Sequence, residues 1–465
     1  MTSRNTPRHS FAIRAGALAI TAALGCAHVA TAHAENLMDA YRQALQSDPV
    51  LKQAEAQQRI GQAGAAISRA PLLPQLNGSV SLNDSHGTGY ESQLVQNPDG
   101  SQQFLSGSSS SGGLRSRTES VGLNQVLFDL GQFETWRASK ASARSTEAQY
   151  VAAQQDLILR GSQAYFTVLT DEDQLTYAKA NEDSYKQQYD QSNQRYKVGL
   201  SAITDVYQAK SYYEGAKAQT IAAQNTLDND REALSQITGK PTGTLKKLRD
   251  DLPMGSPDPS DPNAWVQQAL ANNPSLLAQV QNVKAADENV TAARAGHLPT
   301  ITASVSYGKS SSWYENAAIH SNTPSQTTVG LTLNVPIFSG GLTQSQVRQS
   351  IYNRDAAQDS MEIERRQVKA NTLNYYRSVL AGISQVESGK AAVDSAQKAL
   401  DATRAGFDVG TQTMVNVLLA IQTLTQAESS YSQSRHQLVL NRLLLKQSAG
   451  TASLNDMQGI NALLQ

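Results

Sequence analysis

Two long proline-free runs constrain this chain more than any other feature. The 66 residues from 132 to 197 contain no proline and a single glycine, and heptad-spaced positions within them are small or apolar. This pattern predicts a helix with close neighbours on both sides and water on one face. At 1.5 Å per residue the helix would span roughly 100 Å, which is the length of a rod. A second such helix is predicted over 342–408.

Both predicted rods end in the same turn. The stretch RYKVGLSAITDVYQA (195–209) and the stretch GFDVGTQTMVNVLLA (406–420) each carry Val-Gly followed by a polar segment. Glycine ends a helix readily, because it adopts the left-handed conformation without strain. The repeats therefore predict two helical hairpin tips, at 198–202 and 409–411. The returning helices are predicted over 203–236 and 413–448.

The matching turns belong to an internal duplication. ALQSDPVL (44–51) matches ALANNPSL (269–276), and SVGLNQVLFDLG (120–131) resembles TVGLTLNVPIFSGG (328–341), always in the same order. Repeated order indicates two copies of one structural unit. The predicted organisation is a first repeat at 35–249, a proline-rich linker at 250–263, a second repeat at 264–450 and a C-terminal tail at 451–465.

Each repeat also contains short segments of period two. Apolar residues alternate there with Ser, Thr, Gly and Asn, the pattern of a strand with lipid on one face and water on the other. The segments between paired strands, 84–117 and 308–326, are rich in Ser, Gly and Asn and predict long exposed loops. The predicted strands are at about 75–84, 118–128, 299–308 and 327–338.

Four aromatic residues lie at the ends of these strands. Trp313 and Tyr314 are at a loop end, whereas Phe128 and Phe338 are at the opposite ends. Aromatic residues at both ends of a lipid-facing strand predict an interfacial girdle. The alternative is that they fill the core of a soluble sheet.

The first 34 residues predict a secretory signal peptide. Three arginines precede the apolar run AGALAITAALGCA (15–27), and a small-x-small cleavage pattern ends at Ala34. The alternative is lipid attachment at Cys26. Removal of this segment leaves no cysteine, and it leaves 36 basic against 40 acidic residues, which gives no basic excess for nucleic acid. The sequence after this segment contains no run of 18 apolar residues, so it predicts no helical membrane span.

The remaining sequence predicts no catalytic, cofactor or metal site. The four histidines left after the signal have no His or Cys at ligand spacing. No glycine-rich phosphate loop is present, and the Ser-rich segment 106–112 lacks a His or acid pattern that would indicate a nucleophile. We therefore expect that the protein is not an enzyme and needs no cofactor.

Four strands per chain require an oligomer. The smallest transmembrane barrels use eight strands, and an open strand edge in lipid leaves backbone groups unsatisfied at several kcal/mol each. Two copies would give eight strands and an interior filled by side chains, whereas three copies would give twelve strands. A conduit therefore favours a homotrimer.

Six motifs in order carry a family resemblance: RYKVGLSAITDV (195–206), LSQITG (234–239), GHLPT (296–300), VGLTLNVPIFSGG (329–341), SQVRQSIYN (345–353) and AGFDVGTQTMVNVL (405–418). Over nearly the whole mature chain the sequence resembles the TolC family of outer-membrane channel-tunnels, the exit ducts of efflux pumps and type I secretion systems. The resemblance implies a mixed α and β membrane protein of a Gram-negative bacterium. Its homotrimer would form a 12-stranded transmembrane β-barrel, continuous with a long periplasmic α-helical barrel.

The resemblance also implies partners and their contact residues. The helical tips would contact a periplasmic adaptor (membrane fusion) protein, and through it an inner-membrane pump or ABC transporter. The barrel would contact outer-membrane lipid, and no nucleic acid is involved. On this basis the adaptor-docking tips comprise Gly199, Leu200, Ser201, Gly410 and Thr411. The two glycines are also what any helix end of this type needs.

A closed periplasmic entrance gate is implied near the tips, with departures from the family's pattern. Phe407 stands where the prototype has Tyr, Gln412 where it has Arg, and Asn416 and Leu419 where it has two Asp. These positions therefore lack the charged groups by which the family's entrance is held closed. We expect that weaker hydrogen bonds and apolar contact hold this entrance. The alternative for Asp205 is favourable interaction with the helix dipole. The predicted gate residues are Thr204, Asp205, Phe407, Gln412, Asn416 and Leu419.

A structural or adhesive outer-membrane trimer with a coiled-coil stalk is the rival interpretation. It predicts a sealed lumen lined by apolar side chains, whereas the predicted strands place Ser, Thr and Asn on the inner face. This favours water inside. Efflux and protein secretion are not separated by the sequence, since the adaptor and pump select the cargo.

Overall fold

The structure is a computed structural model that describes residues 34–89, 92–106, 110–314, 320–322 and 325–465. The predicted signal peptide, except for its last residue, and Cys26 lie outside the described residues. None of the helices in these ranges combines the length and apolar character needed to cross a bilayer.

Two helices of rod length dominate the described chain. The helix Leu130–Lys197 has 68 residues and the helix Leu342–Asp408 has 67. Shorter helices pack along them. In chain order the helices are α1 Leu37–Ser47, α2 Pro49–Arg69, α3 Leu130–Lys197, α4 Ile203–Thr238, α5 Pro262–Asn272, α6 Pro274–Ala295, α7 Leu342–Asp408, α8 Met414–Ser448 and α9 Leu454–Asn461.

Local capping explains where several helices begin. The Asp129 side chain accepts a hydrogen bond from the Gln132 backbone N–H at 3.0 Å and starts α3. Asp48 caps α2 in the same way, and Pro49 fills the first helical position, where no N–H is needed. The Arg160 guanidinium reaches the buried Asp48 carboxylate at 2.9 Å and holds its pKa below the usual range, which joins α2 to α3.

The short helices stack end to end beside the rods in both halves. Ser47, at the end of α1, donates a hydrogen bond from its hydroxyl to the Thr238 carbonyl at the end of α4, at 2.5 Å. In the second half the Asn273 amide, which also caps α6, donates to the Ser448 carbonyl at 3.0 Å. Each rod is therefore flanked by a broken column of nearly its own length.

The strands form one main sheet with a separate hairpin. β1 pairs with β4, β4 with β5, and β5 with β7 and, towards its loop end, with β6, all antiparallel. β2 and β3 pair only with each other. The strands are β1 Gln75–Gly89, β2 Ser92–Gln96, β3 Gln102–Ser106, β4 Ser110–Phe128, β5 Thr300–Tyr314, β6 His320–Asn322 and β7 Gln326–Asn334.

The observed bounds correct several expectations. β1, β4 and β5 extend well into the segments predicted as loops, 84–117 and 308–326, because a ladder uses backbone groups that Ser and Gly supply as well as Val does. β7 ends four residues before the predicted 338, since Pro336 has no N–H for the ladder. The predicted tail 451–465 contains α9.

The sheet has one apolar and one polar face. Residues that pair directly across strands share a face, so the strand register assigns every position to one of the two faces. The polar face carries Asn77, Ser79, Ser81, Thr118, Ser120, Ser304, Ser306, Thr328 and Thr332, and the opposite face carries Leu76, Val80, Leu82, Val121, Leu123, Val305, Tyr307, Val329, Leu331 and Leu333. All ten side chains of the apolar set are exposed in one chain.

The main core lies where α1, α9 and the segment 242–252 wrap around the helices α3, α4 and α8. Tyr165 and Phe166 are fully buried there, and the Tyr165 hydroxyl lies 2.9 Å from the carbonyl oxygens of both Glu35 and Lys246. Leu248 bridges Leu464 next to the C-terminus. Both ends of the described chain are thereby fastened to the helical core.

Gly450 provides a test of the end-to-end stacking. Its φ is +71°, and an added Cβ would lie 2.3 Å from the Asn272 carbonyl oxygen. Gly410 has a φ of +81° with nothing within 4 Å of an added Cβ. We expect Gly410→Ala to cost about 1–2 kcal/mol of backbone strain and Gly450→Ala to cost more. Thermal unfolding of detergent-solubilised protein, followed by circular dichroism, measures both, and equal shifts would contradict the close contact.

Candidate functional site

The first helical tip is closed by backbone hydrogen bonds. At the end of α3 the Gly199 N–H donates to the Tyr196 carbonyl at 2.9 Å, and the Leu200 N–H donates to the Arg195 carbonyl at 2.8 Å. Gly199 has a φ of +76°. These two bonds form a Schellman motif, which satisfies carbonyl groups that a helix end otherwise leaves free.

The second tip repeats the motif at the end of α7. The Gly410 N–H donates to the Phe407 carbonyl at 3.1 Å, and the Thr411 N–H donates to the Gly406 carbonyl at 2.8 Å. Apolar side chains protrude at both tips, with Leu200 70% exposed and Val409 76% exposed. Such residues on an otherwise polar hairpin are available to a partner surface.

Asp205 stabilises the start of α4. Ala202, at the N-cap position, has no side chain to cap the helix. The Ser201 hydroxyl instead donates to Asp205 Oδ2 at 2.7 Å, across the turn between tip and helix. A carboxylate in the first turn also interacts favourably with the helix dipole. Thr204 is exposed beside it.

Two predicted gate residues meet where the second tip leads into α8. The side-chain amide of Asn416, on α8, donates to Oε1 of Gln412, in the turn before it, at 2.7 Å, and both residues are exposed. Leu419 is also exposed on α8. Across the described part of the chain, no hydrogen bond or ion pair joins these three residues to Thr204 or Asp205. One copy alone therefore does not assemble the six residues into a network.

Phe407 makes a contact that the sequence did not reveal. The Arg195 guanidinium lies over its ring, 4.9 Å from the centroid, and links the end of α3 to the end of α7. Phe407 also packs against a buried cluster beneath the tips, comprising Tyr185, Ala216, Leu400, Met414, Val417, Leu418 and Ile421. The sequence signal that could have found it is Arg195, which lies four residues before the tip residue Gly199. Apolar packing and a cation–π contact therefore occupy this position in one chain.

A polar cleft between α3, α4 and α8 contains another feature not found from the sequence. Asp171 lines it together with amide and hydroxyl side chains such as Gln174 and Thr425. Burial raises the pKa of Asp171 to about 7, and the Asp230 carboxylate raises it further, because protonated Asp171 can donate a hydrogen bond to it and the two negative charges repel. Asp171 therefore carries less negative charge near neutral pH than an ordinary aspartate does, which lowers the charge of this cleft.

The four residues of the predicted aromatic girdle occupy different kinds of position in and beside the sheet. Phe128 ends β4, and Phe338 lies beyond β7 with 89% of its surface exposed. Trp313 pairs with Arg115 and Tyr314 pairs with Leu114. Consecutive strand positions belong to opposite faces of a sheet, so Trp313 and Tyr314 are in different register rows.

An aromatic pair missed by the sequence analysis lies at the start of α3. The rings of Phe133 and Trp136 are 5.6 Å apart. The Arg137 guanidinium lies 4.8 Å from the centre of the Phe133 ring, and Lys140 Nζ lies 4.9 Å from that of Trp136. Clustering of aromatic and cationic side chains next to a lipid-facing sheet is typical of a membrane interface.

Comparison with known proteins identifies the class. The outer membrane efflux protein family matches residues 40–240 and 265–451. The chain is 34% identical to the outer membrane protein TolC of Vibrio cholerae, over 96% of this chain and 97% of that one. It is 26% identical to the alkaline protease secretion protein AprF of Pseudomonas aeruginosa, over 93% and 88%. The fold matches the CmeC outer membrane channel of Campylobacter jejuni with a TM-score of 0.75 at 18% identity, over 93% of this chain and 90% of that one.

The chain therefore belongs to the outer membrane efflux protein family, and the predicted TolC-family resemblance is confirmed. Its location is the outer membrane, and it is a channel protein rather than a member of an enzyme family. The six gate positions and five tip positions stay predictions.

His436 gives the helical core a pH dependence. Thr170 donates its hydroxyl hydrogen to the Phe166 carbonyl at 2.7 Å, so His436 Nδ1, 2.8 Å from the Thr170 oxygen, carries the ring proton. Burial lowers the pKa of His436 to about 4, although Asp173 opposes this; Arg435 and Lys247 lower the pKa further.

The pKa of His436 in the folded protein lies below its unfolded value near 6.5. Neutral His436 therefore contributes fully to the free energy of unfolding above pH 6.5, and this contribution is lost as the pH falls towards 4. Between pH 7 and pH 4, we expect the free energy of unfolding of wild type to fall by about 3 kcal/mol more than that of His436→Gln. Denaturant unfolding at both pH values measures the difference. Replacing the exposed His297 with Gln is the matched control. Parallel losses in wild type and His436→Gln would contradict the assignment.

Proposed function

We propose that three copies of this chain form a water-filled exit duct that conducts substrates from an inner-membrane transporter and a periplasmic adaptor to the outside. The sheets of the three copies close a 12-stranded β-barrel in the outer membrane. The rods and their broken partner columns continue it as a 12-helix barrel in the periplasm. Efflux from the cell and type I secretion both use such a duct.

The two free edges of the sheet are the observation that carries this proposal. β1 pairs only with β4 and β7 only with β5, so each described edge strand has one unpaired side. The apolar face of the sheet, which includes residues of both edge strands, is exposed. In lipid, edge groups without partners cost several kcal/mol each, and joining β7 of one copy to β1 of the next removes both edges.

The polar face supports a lumen that contains water. It carries Ser, Thr, Asn and Gly from all four main strands, without an apolar filling. An adhesive trimer with a sealed barrel would need apolar side chains on this face. The structure of the sheet therefore favours the conduit over the purely structural trimer.

The helical tips are the proposed docking site for the adaptor. Gly199, Leu200 and Ser201 form one hairpin end, and Gly410 and Thr411 form the other. Both ends share one backbone geometry, so three chains would present six similar knobs. Because AprF is named for protease secretion and the matched family for efflux, either kind of transporter fits the proposal.

The entrance gate is proposed to close between copies. Asp205 with Thr204 on α4 and the Gln412–Asn416 pair, where the second tip leads into α8, are unconnected within one chain, so their remaining hydrogen-bonding groups are free to meet a neighbouring copy. Phe407 and Leu419 add apolar contact. Neutral groups dominate this set, so we propose an entrance held more weakly than one with charged pairs.

Single-channel recording tests the duct. Purified mature protein inserted into a planar bilayer is expected to give discrete current steps of uniform size, because each inserted trimer adds one continuous water path. Chemical cross-linking of the same sample should yield trimers. Inserted, cross-linkable trimers that carry no current at any voltage would reject the conduit and favour the structural trimer.

Substitution of Asp205 tests the gate. Asp205→Ala removes the carboxylate that is proposed to accept a hydrogen bond from a neighbouring copy in the closed entrance, besides its bond with Ser201 in the same chain. A loss of about 1 kcal/mol from the closed state alone changes the ratio of open to closed entrances by about five-fold, so resting conductance should rise. Glu214→Ala, which removes an exposed acid from the same helix away from the tip, is the control. Equal resting conductance in Asp205→Ala and wild type would leave Asp205 with its capping role alone.

A further inference from the structure

The apolar face of the sheet changes character abruptly towards the hairpin loops. On β4 the row that contains Leu123 and Val121 continues with Glu119, Arg117 and Arg115. On β5 the row that contains Val305 and Tyr307 continues with Lys309, which pairs directly with Glu119. Three cations therefore lie on the lipid-facing side of the proposed barrel, at the hairpin-side edge of its apolar band: Lys309 shares a row with Val80, Arg117 pairs with Leu82, and Arg115 pairs with Asp84. We call Arg115, Arg117 and Lys309 the basic rim.

The register gives the spacing of the basic rim. Arg117 lies two positions from Glu119, so it is the diagonal neighbour of Lys309 on the adjacent strand. Diagonal neighbours on one face of an antiparallel pair are about 7–8 Å apart. Arg115 is the next residue on this face of β4. Long basic side chains at this separation can contact one anionic group from two sides.

Nearby carboxylates orient the two arginines without neutralising the rim. Arg115 Nε lies 3.0 Å from Asp84 Oδ2 on β1, and Arg117 contacts Glu119 on its own strand. The side chains of Arg115 and Arg117 are nevertheless 48% and 53% exposed. Each guanidinium has five N–H donors, so one carboxylate leaves donors available. Three cations face two carboxylates, and Asp84 also lies near His86.

The basic rim has a defined depth in the membrane. On β1 the apolar residues of this face end at Leu82, which pairs with Arg117, and the long helices leave the sheet from the opposite ends of the strands. The rim lies at the hairpin end, away from the periplasmic helices. It is therefore level with the head groups of the outer leaflet.

We propose that the basic rim binds the phosphate groups of a phosphorylated glycolipid in the outer leaflet. Arginine pairs with phosphate through two parallel hydrogen bonds, and lysine adds a point charge. Exposed carboxylate pairs contribute little to stability, so a phosphate group can share the guanidinium groups with Asp84 and Glu119. This lipid binding rests on the outward orientation in the proposed duct.

Native mass spectrometry of detergent-solubilised protein with bisphosphorylated lipid A tests the proposal. The variant Arg115→Gln/Arg117→Gln/Lys309→Gln should bind lipid roughly 100-fold more weakly than wild type, because each of the three basic residues strengthens binding to anionic head groups about five-fold. The control Arg365→Gln/Arg366→Gln/Lys369→Gln removes the same charge from exposed positions of α7 and should bind like wild type.

Three further measurements make the outcome decisive. Dephosphorylated lipid A should bind weakly and equally to all three proteins; if the rim variant lost it too, acyl contacts and not phosphate would explain binding. Excess inorganic phosphate should not displace the lipid; if it did, the rim would be a site for free phosphate. Arg117→Lys should retain most binding, which separates lost charge from misfolding.

Single-channel current in the rim variant should equal that of wild type. This separates the two proposals. If the duct proposal is wrong, wild type carries no current. If only the lipid proposal is wrong, wild type carries current, and lipid A binds equally to wild type and to the rim variant.

Discussion

The unsatisfied backbone edge in lipid is the constraint on which the rest of this structure depends. Each chain supplies a five-stranded sheet, in which the short β6 and β7 both pair with β5, and the sheet has free sides at β1 and β7. A membrane tolerates no such edge. The proposed trimer follows from this requirement. The apolar face, polar face and basic rim then follow from a single strand register.

The long helices satisfy their backbone hydrogen bonds internally, so they have no unpaired edge. Each of them still needs neighbouring helices to bury one side. Small residues such as Ala138 and Ala141 on α3 are buried and permit close approach. The broken columns reach the length of the rods because Ser47, Asn273 and the left-handed glycines join their ends.

The two helical tips share one backbone geometry. Both are closed by the same Schellman hydrogen bonds, so their shape does not depend on charged side chains. Within one chain, Arg195 contacts the ring of Phe407 and Asn416 contacts Gln412. Further along α3, burial and the neighbouring Asp230 raise the pKa of Asp171.

The sequence by itself determined the rods, the tips, the duplication and the two-faced strands, because each is encoded by local periodicity and by glycine or proline at fixed positions. It underestimated β1 and β4, since Ser and Gly carry no apolar signal although their backbone groups pair fully. Only the tertiary structure decided which residues meet across distant elements: Arg160 with Asp48, Asp171 with Asp230, Arg195 with Phe407, and His436 with Thr170. Those contacts depend on the rotation of each helix about its axis and on strand register. Packing of the whole chain sets both, and no short stretch of sequence specifies either.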